Sequence, residues 1–308
     1  MTDPNALPLP ELFATLCGDL VPLVRAMHRE DLGPEGLDLT SLVAVGESQR
    51  LEAAIVAREG GVVCGLAAIP AVLGVFAPGA RVEAAAHDGD RVERGATLAR
   101  LSGFARELLA AERSLLNLIG RLSGVATRTA EFVRAMGGGT RARLYDTRKT
   151  TPGLRGLEKY AVRCGGGWCH RIGLHDAVLI KDNHLAGLTP PQVSERVREA
   201  ALRTRAMRES GRPVRFVEVE VDSLGQLGAV LGVEAGLVDV VLLDNMPPAT
   251  LREAVQRRDA AGSRIELEAS GGVTLETIRE IAETGVERIS TGSITHHAVW
   301  LDVGMDAG

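Results

Sequence analysis

At 308 residues, with 45% hydrophobic and 24% charged side chains, the chain has the composition of a soluble globular protein, long enough for two domains or one large α/β domain with an appendage. A net charge of −5 and a pI near 5.9 argue against nucleic-acid or membrane-surface partners, which want a basic face, but leave room for a small anion held by locally gathered cations. No stretch approaches the ~20 apolar residues of a membrane span, Met1-Thr2-Asp3-Pro4 has none of the features of a secretory signal, and Cys17, Cys64, Cys164 and Cys169 fit no zinc spacing. The expectation is a cytoplasmic protein with reduced structural thiols.

In chain order, Leu7 to about Arg29 reads as one or two helices interrupted at Pro22. From Thr40 to Ser102 short β-like pieces alternate with glycine turns, among them Leu51–Ala57, Gly61–Gly65, Arg81–Ala85 and the hairpin pattern of Asp88–Leu98. Biotinyl and lipoyl carriers use similar hairpins, but they display a modifiable lysine, and there is none between Met1 and Thr147. Glu107 to Met136 is a long helical region with an expected break near Ser123-Gly124 and a domain boundary inside it, ended by Gly137-Gly138-Gly139. Thereafter strands at Arg141–Tyr145, Ala177–Lys181, Val214–Val221, Val238–Leu243, Ile265–Ala269 and Arg288–Ser290 alternate with helices at Leu154–Cys164, Pro191–Glu209, Ser223–Leu231, Pro248–Ala261 and Thr274–Thr284. Strict alternation implies parallel strands, and a βα barrel is favoured over an open doubly wound sheet; no Gly-x-Gly-x-x-Gly follows a strand.

In a βα barrel the reactive groups sit at the C-terminal strand ends. Those ends carry, in order, Arg148-Lys149, Lys181-Asp182-Asn183-His184, the acids Glu218, Glu220 and Asp222, then Asp244-Asn245, Ser270-Gly271-Gly272 and Thr291-Gly292-Ser293. A lone Arg-Lys pair is most often a solvated basic loop; charged or small polar residues at every strand end point instead to a site. Side-chain alternation in Val217–Asp222 puts the valines on one face and the three acids on the other, expected to point into the barrel mouth, where acids can hold Mg²⁺ or sugar hydroxyls. The two glycine turns are expected to offer backbone N–H groups at helix starts to phosphate. His170 and Arg171, with Arg148, Lys149 and Lys181, make a basic cluster that needs a strongly anionic ligand to offset its own repulsion.

The run Asp146-Thr147-Arg148-Lys149-Thr150-Thr151-Pro152-Gly153-Leu154-Arg155 resembles the quinolinate phosphoribosyltransferase family. So do Leu179–His184, Glu218–Asp222, Leu242–Asn245, Glu268–Gly272, Glu112–Asn117 and Ser123–Thr127, in order over nearly the whole chain. The resemblance implies an N-terminal α/β sandwich, residues 1–117 joined by the tail 297–308, packed on an incomplete seven-stranded α/β barrel, residues 118–296. It implies a homodimer whose sites are shared between subunits, and the reaction of quinolinate with phosphoribosyl pyrophosphate to nicotinate mononucleotide, pyrophosphate and CO₂. Quinolinate would be held by Arg113 of a partner subunit with Arg148, His170, Arg171 and Lys181. Lys149 would lie near the ribosyl donor, Glu220 and Asp244 around the ribose and Mg²⁺, and Ser270, Gly271, Gly272, Gly292 and His296 on phosphate. Where the family usually has Asn before the His-Arg pair, this chain has Cys169, a weaker hydrogen-bonding group.

Two other readings share the fold. A paralogous barrel for another base, such as nicotinate, needs to hold one carboxylate, and five cations are excessive for that. A non-catalytic anion-binding barrel gains nothing from acids beside its phosphate turns.

Overall fold

A computed structural model describes residues 2–308, which form two compact units that are not consecutive in the chain. The first gathers Leu7–Ala130, Thr150–Gly166 and Ile294–Gly308. Its helices are α1 (Leu9–Cys17), α2 (Val21–Leu32), α3 (Leu39–Ala44) and α4 (Ile69–Phe76), and its strands β1 (Arg50–Ala57), β2 (Gly61–Val62), β3 (Arg81–Ala84), β4 (Arg91–Val92) and β5 (Thr97–Phe104). The long helix α5 (Ala105–Met136) follows, its last six residues counted with the second unit. Pro22 does not interrupt a helix; it occupies the first turn of α2, where its missing N–H costs nothing. The side chain of Asp38 caps α3 by accepting the Ser41 N–H at 3.1 Å.

Helix α5 runs unbroken through Ser123-Gly124, against the expected break. The glycine is there for a close approach: a Cβ on Gly124 would lie 2.1 Å from the Val299 carbonyl oxygen. Ser123 donates to the Cys64 carbonyl at 3.1 Å and accepts the Cys64 N–H at 2.9 Å, so its hydroxyl serves a neighbouring loop instead of disrupting its own helix. Helix α6 (Arg155–Cys164) packs on α1 in this unit. Its buried Glu158 accepts from Arg121 at 2.6 and 3.0 Å and from the Thr151 hydroxyl at 2.6 Å. All four cysteines are free thiols, and burial pushes Cys17 up to about 12.

The second unit comprises residues 2–6, 131–149 and 167–293. In chain order it contains β6 (Arg143–Tyr145), β7 (Val178–Ile180), α7 (Asp182–Leu185), α8 (Pro190–Glu209), β8 (Val217–Val221), α9 (Leu224–Leu231), β9 (Val240–Asp244), α10 (Pro248–Ala260), β10 (Glu266–Ser270), α11 (Ile278–Ala282) and β11 (Arg288–Ser290). All six expected strands form, as one parallel sheet in the order β6-β11-β10-β9-β8-β7. A seventh full strand does not: next to β6 it shrinks to a single parallel bridge, Tyr145 to Trp168. Every residue of β8 is buried, as a parallel strand covered on both faces requires. The chain then returns to the first unit through α12 (Ser293–His296) and β12 (Val303–Ala307), which pairs antiparallel with β1 to complete the sheet β12-β1-β5-β3.

Candidate active site

The pairing register sorts the site into rows. Asp244, Ser270, Ser290 and Tyr145 lie side by side across β9, β10, β11 and β6. Two residues earlier, and so on the same face, the next row carries Glu220, Leu242, Glu268, Arg288 and Arg143. Glu218 comes one row deeper on β8.

This stagger separates the acids that sequence alternation had grouped. Glu218 does not reach the mouth. It is fully buried, with its carboxylate 2.9 Å from Nε2 of His170, while Glu268 approaches the same nitrogen at 3.4 Å. Phe216 and Tyr145 stand edge-on to the imidazole, and the Arg288 guanidinium lies 3.9 Å from Glu268 and 2.5 Å from Glu266. Burial alone would depress the His170 pKa, but Glu218 and Glu268 more than offset it and push the ring up to about 10. The Arg171 N–H, 2.7 Å from Nδ1, favours a lone pair there; two buried acids outweigh that one contact. Burial raises Glu218; for Glu268 the same burial is outweighed by His170 and Arg288, which keep it ionised. His170, expected among the ligand-facing cations, is therefore neutralised from inside the barrel.

At the rim the balance is different. Lys181 pairs with Glu220 at 2.9 Å, its side chain 45% exposed. Arg148 and Lys149 are exposed after β6, with the Lys149 N–H on the Thr147 hydroxyl at 3.0 Å. Burial lowers the Arg171 pKa, and repulsion from Arg148 adds to the fall. Asp222 lies beyond the end of β8 and is exposed.

Asp244 accepts a 2.8 Å hydrogen bond from the carboxamide of Asn245. Asn245 has φ 53°, the one positive value at a non-glycine among the described residues, in a region Asn tolerates better than most. Its carboxamide fills the space beside Gly271, where a Cβ would meet Oδ1 at 2.2 Å, and Gly271 and Gly272 both take positive φ. Ser270 Oγ accepts from Ser290 Oγ at 3.0 Å. Neither glycine turn opens a long helix: α11 starts only at Ile278 and has five residues, and α12 has four. Any phosphate contact at Ser270, Gly271, Gly272 and Gly292 thus falls to turn backbone and hydroxyls, not to a helix terminus. His296, exposed and edge-on to His297, and Arg113, exposed on α5, belong to the first unit.

Glu220 and Asp244 offer oxygen donors only, which fits Mg²⁺, an ion usually held by one or two carboxylates plus substrate phosphates. His170, Glu218 and Glu268 also come within 4.8 Å of one another. There the imidazole and Arg288 already supply the positive charge a metal would bring.

The segment after the bridge is irregular, yet its amides are tied one after another. Trp168 N donates to the Leu144 carbonyl at 2.8 Å, Cys169 N to Asn5 Oδ1 at 2.7 Å and His170 N to Asp146 Oδ1 at 2.9 Å. Ile172 N and Gly173 N both donate to Asp176 at 2.9 Å. The orientation of His170 thus rests on Asp146, Glu218 and Glu268. Asn5 and Asp176 lie in none of the runs singled out in the sequence; Asp146, Asn245 and Glu268 do, but it is their partners in the fold that reveal these roles.

The family profile described as quinolinate phosphoribosyl transferase, C-terminal domain, matches residues 125–306, and that of the N-terminal domain matches residues 38–123. The chain is 44% identical over 286 residues to a nicotinate-nucleotide pyrophosphorylase (carboxylating) of Mycobacterium leprae, covering 92% of this chain and 94% of that one. It is 34% identical to a quinolinate phosphoribosyltransferase (decarboxylating) of Nicotiana tabacum, covering 93% and 82%. The solved nicotinate-nucleotide pyrophosphorylase of Francisella tularensis superposes with a TM-score of 0.83 at 33% identity over 100% of both chains. A human nicotinic acid phosphoribosyltransferase shares the fold alone, with a TM-score of 0.53 and 14% identity. The profiles, the identities over most of the chain and the shared architecture agree: this chain belongs to the quinolinate phosphoribosyltransferase family.

Proposed function

We propose that the protein transfers the phosphoribosyl group of phosphoribosyl pyrophosphate to quinolinate, giving nicotinate mononucleotide, pyrophosphate and CO₂ for NAD biosynthesis. The observation that carries this reading is the placement of Arg148, Arg171 and Lys181 just beyond β6, the Trp168 bridge and β7 of one parallel sheet, in an acidic protein. Their mutual repulsion is offset by a ligand with two carboxylates, and guanidinium forks suit carboxylate geometry. Arg148, Arg171 and Lys181 hold the dicarboxylate so that the ring nitrogen faces C1 of the ribosyl donor, and His170 fixes the backbone from which Arg171 projects. Lys149 reaches the donor, Glu220 and Asp244 order its ribose, and the turns at Ser270, Gly271, Gly272 and Gly292 take its phosphates. Bound Mg²⁺, held by Glu220 and Asp244, supplies charge neutralisation for pyrophosphate.

As the C1–O bond to pyrophosphate breaks, positive charge grows on the ribose and the two acids stabilise it. The ring nitrogen then bonds to C1 and becomes a pyridinium. The C2–carboxylate bond breaks with its electron pair left at C2 beside that charge, CO₂ departs, and C2 takes a proton.

We further propose a homodimer in the cytoplasm. Leu39 and Val43 are 71% and 88% exposed in the first unit, apolar surface that a second copy would cover, and Arg113 on α5 would enter the partner's site. Free thiols suit a reducing compartment, and no described helix is long and apolar enough to cross a membrane. The test is a product assay with Mg²⁺, phosphoribosyl pyrophosphate and either base. Nicotinate mononucleotide and CO₂ from quinolinate alone is the expected result; turnover of nicotinate instead would overturn the dicarboxylate reading.

A further inference from the structure

The chain entering Arg171 lacks a regular strand's support on one side. Trp168 pairs with β6 through its own N–H and carbonyl, to Leu144 and Asp146. Successive residues of an extended chain turn these groups to opposite sides, so those of Cys169 face away from β6. There the side chain of Asn5 meets both: Oδ1 accepts the Cys169 N–H at 2.7 Å, and Nδ2 donates to the Cys169 carbonyl at 2.9 Å. One carboxamide thus makes the pair of bonds that a neighbouring strand would make.

Asn5 is itself fixed. Asp3 Oδ1 accepts from its backbone N–H at 3.1 Å and from Nδ2 at 3.2 Å, and takes a 2.9 Å bond from Arg215. Arg215 also donates to Asp176 at 3.1 Å and to the His170 carbonyl at 3.4 Å, and Asp176 holds the amides of Ile172 and Gly173. Residues 3 and 5 therefore secure the chain on both sides of Arg171, Asn5 from 164 positions before the Cys169 it holds.

We propose that Asn5 is a positioning residue for the dicarboxylate site, acting through the Cys169 backbone to set where Arg171 projects. This rests on the assignment of Arg171 to quinolinate above. Without the carboxamide, the Cys169 N–H and carbonyl lose their pairing and the segment relaxes toward solvent; a displacement on the order of 1 Å in a substrate clamp is enough to cost ~100-fold.

The experiment compares Asn5→Ala, Asn5→Gln and Arg171→Ala by steady-state kinetics with each substrate varied in turn. Asn5→Ala is expected to lower kcat/KM for quinolinate about 10- to 100-fold while KM for phosphoribosyl pyrophosphate moves less than about 2-fold. Asn5→Gln, which keeps the carboxamide on a stem one methylene longer, is expected to restore most of the loss. Equal changes for both substrates, or a lowered melting temperature with unchanged quinolinate kinetics, would overturn the proposal. If Arg171→Ala impairs quinolinate use and Asn5→Ala does not, the positioning role alone fails. If Arg171→Ala leaves quinolinate kinetics unchanged, the site assignment fails and the positioning role with it.

Discussion

Glu218 and Glu220 lie two residues apart on one face of β8, and they belong to different worlds. Around Glu218 the charges answer one another: His170, Glu268 and Arg288 form ion pairs in the interior, although the carboxylate oxygens of Glu218 and Glu268 and Nη1 of Arg288 make no hydrogen bond. Around Glu220, at the rim, Lys181 is its partner, and repulsion from Arg148 bears on Arg171. An ion cluster in the interior must set each charge against an opposite one, because an uncompensated buried charge is expensive. A cluster at the rim can be left with excess charge, and that excess is what selects a ligand. The same residue types therefore serve rigidity in one layer and recognition in the next.

The comparison can be broken from either side. The largest effect is expected from Glu268→Ala, which leaves His170 and Arg288 without a shared acid; removing one partner of a buried pair costs about 3–5 kcal/mol, read as a shift in the denaturation midpoint. Unchanged stability would mean the inner cluster holds nothing together. Arg171→Ala should instead leave the fold standing and lower kcat/KM for quinolinate about 100-fold, ~2.7 kcal/mol. Gly271→Ala forces a side chain into positive φ against Asn245 and should cost about 1–3 kcal/mol, with KM for phosphoribosyl pyrophosphate rising more than that for quinolinate. The most gradual effect is a slope. His170 keeps its proton to about 10 in the fold and loses it near 6.5 in the unfolded chain, so its stabilisation is full below pH 6.5 and fades as pH rises toward 10. Melting temperature should fall across that window, and fall less in His170→Gln; an identical fall in both would remove His170 as the source.

Much of this was legible in the sequence. Strict strand–helix alternation gave all six strands of the parallel sheet, because buried parallel strands and their covering helices leave different apolar periods. Alternation along Val217–Asp222 also gave the right face of β8. It could not give depth: which acid reaches the rim depends on the register between neighbouring strands, a property of the assembled sheet. Ser123-Gly124 looked like a helix break because the close approach of the Val299 carbonyl is invisible locally. The Trp168–Gly173 segment has no strand signature, since Asn5 and Asp146 hold its amides from elsewhere in the chain and Asp176 from the turn just after it.

The most direct test of the rim's role is titration calorimetry on Arg148→Ala with each substrate in turn. The account predicts that quinolinate binding is lost while phosphoribosyl pyrophosphate with Mg²⁺ still binds with near wild-type affinity. If both affinities collapse together, the rim cations do not divide between base and donor as described, and the dicarboxylate site lies elsewhere.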